Sequence, residues 1–114
     1  MEDIELSMYQ KSTLENGIRV VTDTMSGHRS ISMGILIDAG PFDEAPEQSG
    51  LAHLVEHAVF CGTSSRNATQ IARLMDEAGG HLGAFTARDF TCYSATVLDH
   101  YFTYALDLLG DILL

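Results

Sequence analysis

Gly79-Gly80-His81-Leu82-Gly83-Ala84-Phe85-Thr86-Ala87-Arg88-Asp89-Phe90-Thr91-Cys92-Tyr93-Ser94-Ala95-Thr96-Val97 is the stretch whose reading decides the fold. Two glycines end whatever precedes them, and two strand-like runs follow, 81–86 and 89–97, with Ala87-Arg88 between them as a turn. Runs this close in sequence are expected to pair antiparallel. Upstream, Asn67 and Gln70 have the N-cap and N3 spacing of a capping box. Ile71, Leu74, Met75 and Ala78 then recur at helical spacing, so a helix is expected to run into the two glycines. Downstream, from Asp99, Phe102, Leu106, Leu109 and Leu113 mark one apolar helix face, which is expected to be core. Tyr101, Leu108 and Ile112 make another side of that helix apolar as well.

Further toward the N terminus, residues 9–14 and 18–24 read as two strands joined through Glu15-Asn16-Gly17, because Asn-Gly supplies the positive φ angles of a tight hairpin. Ile31, Met33, Ile35 and Ile37 alternate with Ser32, Gly34, Leu36 and Asp38, the pattern of a strand with one face on a core. Gly40-Pro41 ends that strand. An acidic, loop-like segment at 42–48 delivers the chain to a helix expected over 49–61, closed by Gly62. Three strands, two helices, two strands and a helix imply an α+β domain with helices packed on a largely antiparallel sheet. The final helix reaches Leu113-Leu114 with no glycine or polar cap, so residues 1–114 are expected to be part of a domain that continues.

The 114 residues carry 46% hydrophobic content, enough for a core, and a formal net charge of −10. That charge argues against nucleic acid and anionic membrane surfaces as partners; it either only keeps the protein soluble or also attracts cationic peptides. Cys61 and Cys92 form no C-x-x-C pair and are expected to be free thiols. The acidic start at 1–5 resembles neither a secretory signal nor an Arg-rich transit peptide, and no run approaches membrane-spanning length. The expectation is a soluble, cytoplasmic protein.

Chemistry concentrates in His53-Leu54-Val55-Glu56-His57, an H-x-x-E-H string, the inverted form of the H-E-x-x-H zinc motif. On a helix turning about 100° per residue, Glu56 lies about 60° to one side of His53 and His57 about 40° to the other. Two imidazoles one turn apart can both aim a ring nitrogen at one Zn2+, while the carboxylate beside them is placed to take a proton from water. His53 and His57 are the expected metal ligands and Glu56 the expected general base. Cys61 falls two turns beyond His53, where Gly62 ends the helix, and is expected to be a packed thiol rather than a third ligand. His28, His81 and His100 lack ligand spacing, and Asp76 and Glu77 are expected to face solvent. Asp89 could hydrogen-bond a ligand imidazole or pair with Arg88.

Gly50-Leu51-Ala52-His53-Leu54-Val55-Glu56-His57, continuing into Phe60-Cys61-Gly62-Thr63 and Arg66, resembles the pitrilysin/insulinase family of zinc peptidases, which includes the mitochondrial processing peptidases and soluble bacterial relatives. Residues 79–91 resemble its second signature, G-G-x-x-N-A-x-T-x-R-E-x-T, and the likeness covers nearly all of 9–114. The resemblance implies zinc on His53 and His57, a third ligand from a glutamate beyond Leu114, and Glu56 as general base. It also implies that Gly83, Ala84 and Phe85 hold a peptide or unfolded polypeptide by strand addition. The partner it implies is the remainder of a clamshell or a partner subunit, and the chain alone would be a poor catalyst. Gly83 stands where asparagine is usual, Asp89 where glutamate is usual, and Cys61 where a basic residue is common. Two other readings are a non-catalytic partner subunit of a two-chain peptidase and an S-ribosylhomocysteine-lyase-like enzyme, which adds a cysteine ligand. The second signature favours the peptidase.

Overall fold

In the structure, a computed structural model, residues 9–114 are described, and the acidic start at 1–5, with the expectation on export signals that rests on it, lies outside the described residues. The strands are β1 (Tyr9–Thr13), β2 (Arg19–Asp23), β3 (Ser30–Ile37), β4 (His81–Thr86) and β5 (Thr91–Leu98). The helices are α1 (Leu51–Ala58), α2 (Ala68–Glu77) and α3 (Phe102–Leu113). Single 3-10 turns at Pro41–Asp43 and Pro46–Gln48 shape the segment expected to be loop. The class is α+β and every strand pairing is antiparallel. None of the described helices is long and apolar enough to cross a membrane.

Strand β5 lies at the centre of a three-stranded sheet ordered β3-β5-β4. Thr91, Cys92, Tyr93, Ala95 and Val97 are all buried, as suits a central strand, and β3 and β4 pair with its two edges. Met33 and Leu82 flank Ala95 from the two sides. Ile71, Met75 and Ala78 from the α2 end, with Ala105, Leu108, Leu109 and Ile112 of α3, close over Tyr93, Ala95 and Val97. Each large aliphatic buried there contributes about 1.5–3 kcal/mol over leaving it in water. The strand alternation expected for β3 is present, with Ile31, Met33 and Ile35 half-buried, although Ile37 at the strand end is exposed.

Several expectations are corrected. The stripe expected to be core on α3 is not the buried one: Phe102 and Leu106 are exposed, and only Leu109 of that set is fully buried. A helix apolar on two sides is not oriented by its period, and the side chosen carries Ala105, whose small side chain lets α3 approach the sheet closely. The turn between β4 and β5 is four residues long rather than two. Ala87 N–H donates to Phe90 O (2.8 Å), so β5 starts at Thr91 and Asp89 belongs to the turn. That shape is imposed from outside, since Arg88 O accepts from Phe42 N–H (2.9 Å) instead of joining the ladder. Gly40 presses against the same turn, where a Cβ would meet Arg88 O at 2.9 Å.

The β1–β2 hairpin forms a separate two-stranded sheet, and all ten of its strand residues are exposed. The hairpin is the expected one but its turn is not: only Gly17 is at positive φ, 88°, and the strands are joined by five residues, 14–18, with Gly17 N–H donating to Leu14 O (2.9 Å) and Ile18 N–H to Asn16 Oδ1 (3.1 Å). The capping box of α2 also forms, Gln70 N–H donating to Asn67 Oδ1 (2.9 Å) and Asn67 N–H to Gln70 Oε1 (2.8 Å).

Candidate metal and peptide site

Helix α1 is shorter than the expected 49–61. Gly50 turns the chain into it at φ 89° and offers no capping side chain. Glu44 supplies the cap instead, accepting from Gly50 N–H (2.8 Å) and Ala52 N–H (2.7 Å), where a carboxylate also meets the positive end of the helix dipole. After Ala58 the helix tightens into a 3-10 turn, Val59–Cys61, and stops at Gly62, whose φ of 141° is a conformation that side-chain-bearing residues rarely adopt. The following loop is bolted to α3. Thr63 Oγ1 donates to Asp111 (2.8 Å), while Arg66 donates to Asp111 (2.6 Å) and Asp107 (2.8 Å). The hydrogen bonds from Arg66 and Thr63 hold the Asp111 carboxyl below its ordinary pKa, and the same aspartates raise that of Arg66.

Between these anchors the structure brings His53, Glu56 and His57 together. Both imidazoles are exposed, with Nε2 atoms 3.1 Å apart and rings edge to face at 4.7 Å between centroids. Glu56 is half-buried, and one ligand atom from each of the three residues lies within 4.8 Å of the others. Two nitrogens each about 2.0–2.1 Å from zinc in a tetrahedral site lie about 3.3 Å apart, so the pair fits one ion with little adjustment. Among the described residues no other histidine, cysteine or carboxylate joins this cluster.

The remaining candidates are accounted for elsewhere. Cys61 is exposed rather than packed, its thiol directed at its own helix through His57 O (3.7 Å), because the 3-10 turn keeps it at the helix end. Cys92 is buried on β5, outside the cluster, and burial raises its pKa, so a lyase-like cysteine ligand is not supplied. Asp76 and Glu77 are exposed on α2. His28 Nδ1 lies against Ser26 O (3.1 Å), His100 lies beside Asp99 (3.5 Å), and His81 is exposed. Arg88 and Asp89 form no ion pair among the described residues.

Two features escaped the sequence reading. Thr86 Oγ1, on β4, donates to the Glu56 carboxylate. Tyr93, buried on β5, has its phenol pKa raised by burial and then by the negative charge of Glu56. The sequence signals for Thr86 were its place as the first threonine of the second signature and its period-two relation to Ala84, which puts both on the inward face of β4. Gly83 and Ala84 are half-buried and Phe85 is exposed, its ring edge to face with Phe90 at 5.8 Å. All three lie on β4, whose outer edge is unpaired among the described residues and which runs beside α1.

Comparison with known proteins agrees in direction. The family model for insulinase (peptidase family M16) matches residues 19–114. The chain is 42% identical over 104 residues to an uncharacterized zinc protease, YmxG, of Bacillus subtilis, covering 91% of this chain and 25% of that protein. It is also 42% identical over 102 residues to a probable mitochondrial-processing peptidase subunit beta of Arabidopsis thaliana, covering 90% of this chain and 19% of that one. A crystal structure of a protease from Helicobacter pylori superposes with a TM-score of 0.87 at 27% identity, over 94% of this chain and 26% of that chain. The chain thus spans about a quarter or less of the length of these relatives.

Proposed function

The chain belongs to the insulinase family, peptidase family M16, and we propose that it is the N-terminal catalytic part of a zinc-dependent metalloendopeptidase, residues 1–114 forming part of one domain. The observation that carries this reading is the pair of Nε2 atoms 3.1 Å apart with a half-buried carboxylate beside them. Nothing in packing requires that trio. The description of several relatives as zinc proteases supports zinc as the ion. His53 and His57 would hold it, with a glutamate outside these 114 residues as third ligand. When bound, zinc supplies Lewis acidity, polarising a peptide carbonyl and lowering the pKa of water.

Within this chain, Glu56 accepts the proton of the attacking water and returns it to the leaving amine. Its half-buried setting keeps bulk water from competing for that proton. The open edge of β4 at Gly83, Ala84 and Phe85 takes the substrate as an added strand, gripping an extended peptide through main-chain hydrogen bonds that any sequence can make. Gly83 contributes backbone only. The net charge of −10 favours cationic segments of unfolded polypeptide as substrate. A complementary half of the clamshell, or a partner subunit of the kind implied by the Arabidopsis protein's description as a subunit, closes over the peptide. By itself the chain binds zinc weakly and cleaves nothing appreciable, because two imidazoles lack the coordination number of a catalytic site.

The test is a pair of variants in the complete protein, read by elemental analysis and by chelator-sensitive cleavage of an unstructured cationic peptide. Glu56→Gln keeps its zinc and loses cleavage, whereas His57→Ala loses both. Equal and large zinc loss from the two variants makes Glu56 a ligand and ends the role assigned to it.

A further inference from the structure

Glu56 is held by something the metal motif does not contain. Its carboxylate accepts a hydrogen bond from Thr86 Oγ1, thirty residues away and on a different element. Strand β4 alternates its side chains, so Leu82, Ala84 and Thr86 share the inward face, and the first two pack against the core. Thr86 pairs with Thr91 in the last rung of the β4–β5 ladder. Directly after it, the turn at 87–90 is closed by Ala87 N–H to Phe90 O (2.8 Å) and tied outward by Phe42 N–H to Arg88 O (2.9 Å). The strand end therefore has little freedom to move. Threonine is also branched at Cβ, which restricts χ1 and so the direction in which its hydroxyl points. A glutamate on the rim of a helix has three rotatable bonds, and without a partner it spreads over several rotamers.

We propose that Thr86 is a positioning residue for Glu56, so that one strand, β4, sets both the peptide backbone laid along its edge and the base that acts on that peptide. The inference rests on the peptidase reading given above. Residues Gly83 to Phe85 and Thr86 are consecutive, so the offset between the bound backbone and the carboxylate is fixed by strand geometry rather than by a loop. Misplacing a base by a fraction of an ångström reduces the fraction of complexes poised for attack without weakening the main-chain grip on substrate. Thr86 thus acts on turnover and leaves binding alone.

Two measurements test this. In the complete protein, NMR should show a slowly exchanging Thr86 hydroxyl proton that disappears in Glu56→Ala, and its absence from the wild-type protein overturns the proposal. In the complete protein, Thr86→Val keeps the side-chain shape and removes the donor, and Thr86→Ser keeps the donor. General acid–base groups contribute about 10²–10⁴-fold, and partial loss of alignment should cost Thr86→Val about 10–100-fold in kcat with KM within about threefold. Zinc content should match wild type, and Thr86→Ser should recover kcat to within about fivefold of it, allowing for its freer χ1. Wild-type kcat in Thr86→Val sinks the inference and spares the peptidase reading. Parallel loss of zinc, KM and thermal stability with no rescue by serine makes Thr86 merely structural, which also overturns it. No chelator-sensitive cleavage by the wild-type protein ends the peptidase reading and this inference together.

Discussion

Removing the Glu44 side chain should loosen the helix that carries the metal motif. Gly50, at the N-cap, has no side chain to satisfy the first-turn N–H groups of α1, and Glu44 satisfies two of them with its two carboxylate oxygens, at 2.8 and 2.7 Å. An N-cap side chain is worth about 0.5–2 kcal/mol and an anion at a helix N-terminus about 0.3–1 kcal/mol. Water replaces the bond to exposed Gly50 more readily than the one to half-buried Ala52, so the expected loss for Glu44→Ala is about 1–2 kcal/mol. Glu44→Gln keeps one acceptor oxygen and should lose about half as much. Urea unfolding of the chain followed by circular dichroism reads this directly. With a slope of about 1–3 kcal/mol per molar urea, the midpoint should fall by roughly 0.5–1 M for alanine with the slope unchanged. An eight-residue helix is marginal by itself, so fraying of its first turn should also weaken zinc binding by the chain, since His53 lies in that turn. A midpoint shift under about 0.2 M would refute the cap as the element that fixes α1, given the slopes expected for a domain of this size.

The α3 correction predicts an asymmetry: Leu109→Ala, at a fully buried site, should cost about 2–5 kcal/mol, whereas Leu106→Ala, at a residue 46% exposed, should cost under about 1 kcal/mol. Equal losses in urea unfolding would restore the stripe read from the sequence. The clamp of Arg66 and Thr63 on Asp111 predicts an acid-sensitive loop at 62–67. Because the folded-state pKa of Asp111 is lowered, its contribution is complete above the unfolded aspartate value of about 3.9 and is lost as pH falls through the folded value. Protection of the loop amides, taken as exchange relative to the intrinsic rate at each pH, should therefore fall on acidification in the wild-type chain and be low at every pH in Asp111→Asn; a loop whose protection is indifferent to both changes would show that the clamp holds nothing.

What could be read from the sequence was what depends on neighbours a few residues apart. The capping box at Asn67 and Gln70 closes three residues, the Asn16-Gly17 hairpin closes two, and the imidazoles of His53 and His57 meet because one helical turn separates them. Apart from the hairpin turn at 14–18, and from the ends of α1 and the exposure of Cys61, which follow from a local 3-10 turn, the parts that were misread depend on contacts distant in sequence. The face that α3 buries was decided by the fit of Ala105 against β5, and the length of the β4–β5 turn by Phe42 and Gly40, some fifty residues upstream. Glu44 capping α1 across the Pro46–Gln48 turn lies between these extremes, six and eight residues from its donors, and no local pattern announces it.

This division has a consequence for the site. The histidine pair comes from helical geometry and needs only α1, with its cap at Glu44, to be formed. The orientation of Glu56 needs more: β4 in register with β5, the 87–90 turn closed, and Thr86 aimed at the helix. Convergence of the two imidazoles and orientation of the Glu56 carboxylate therefore depend on different cooperative contacts, and perturbations that loosen the sheet while sparing α1 should separate them. Loss of the tie between Phe42 N–H and Arg88 O, for example, frees the turn that follows Thr86 without touching either imidazole. The carboxylate would lose its fixed direction while the two nitrogens kept theirs, so for the proposed peptidase ion binding is the weaker test of the site, and the Thr86–Glu56 hydrogen bond the stronger.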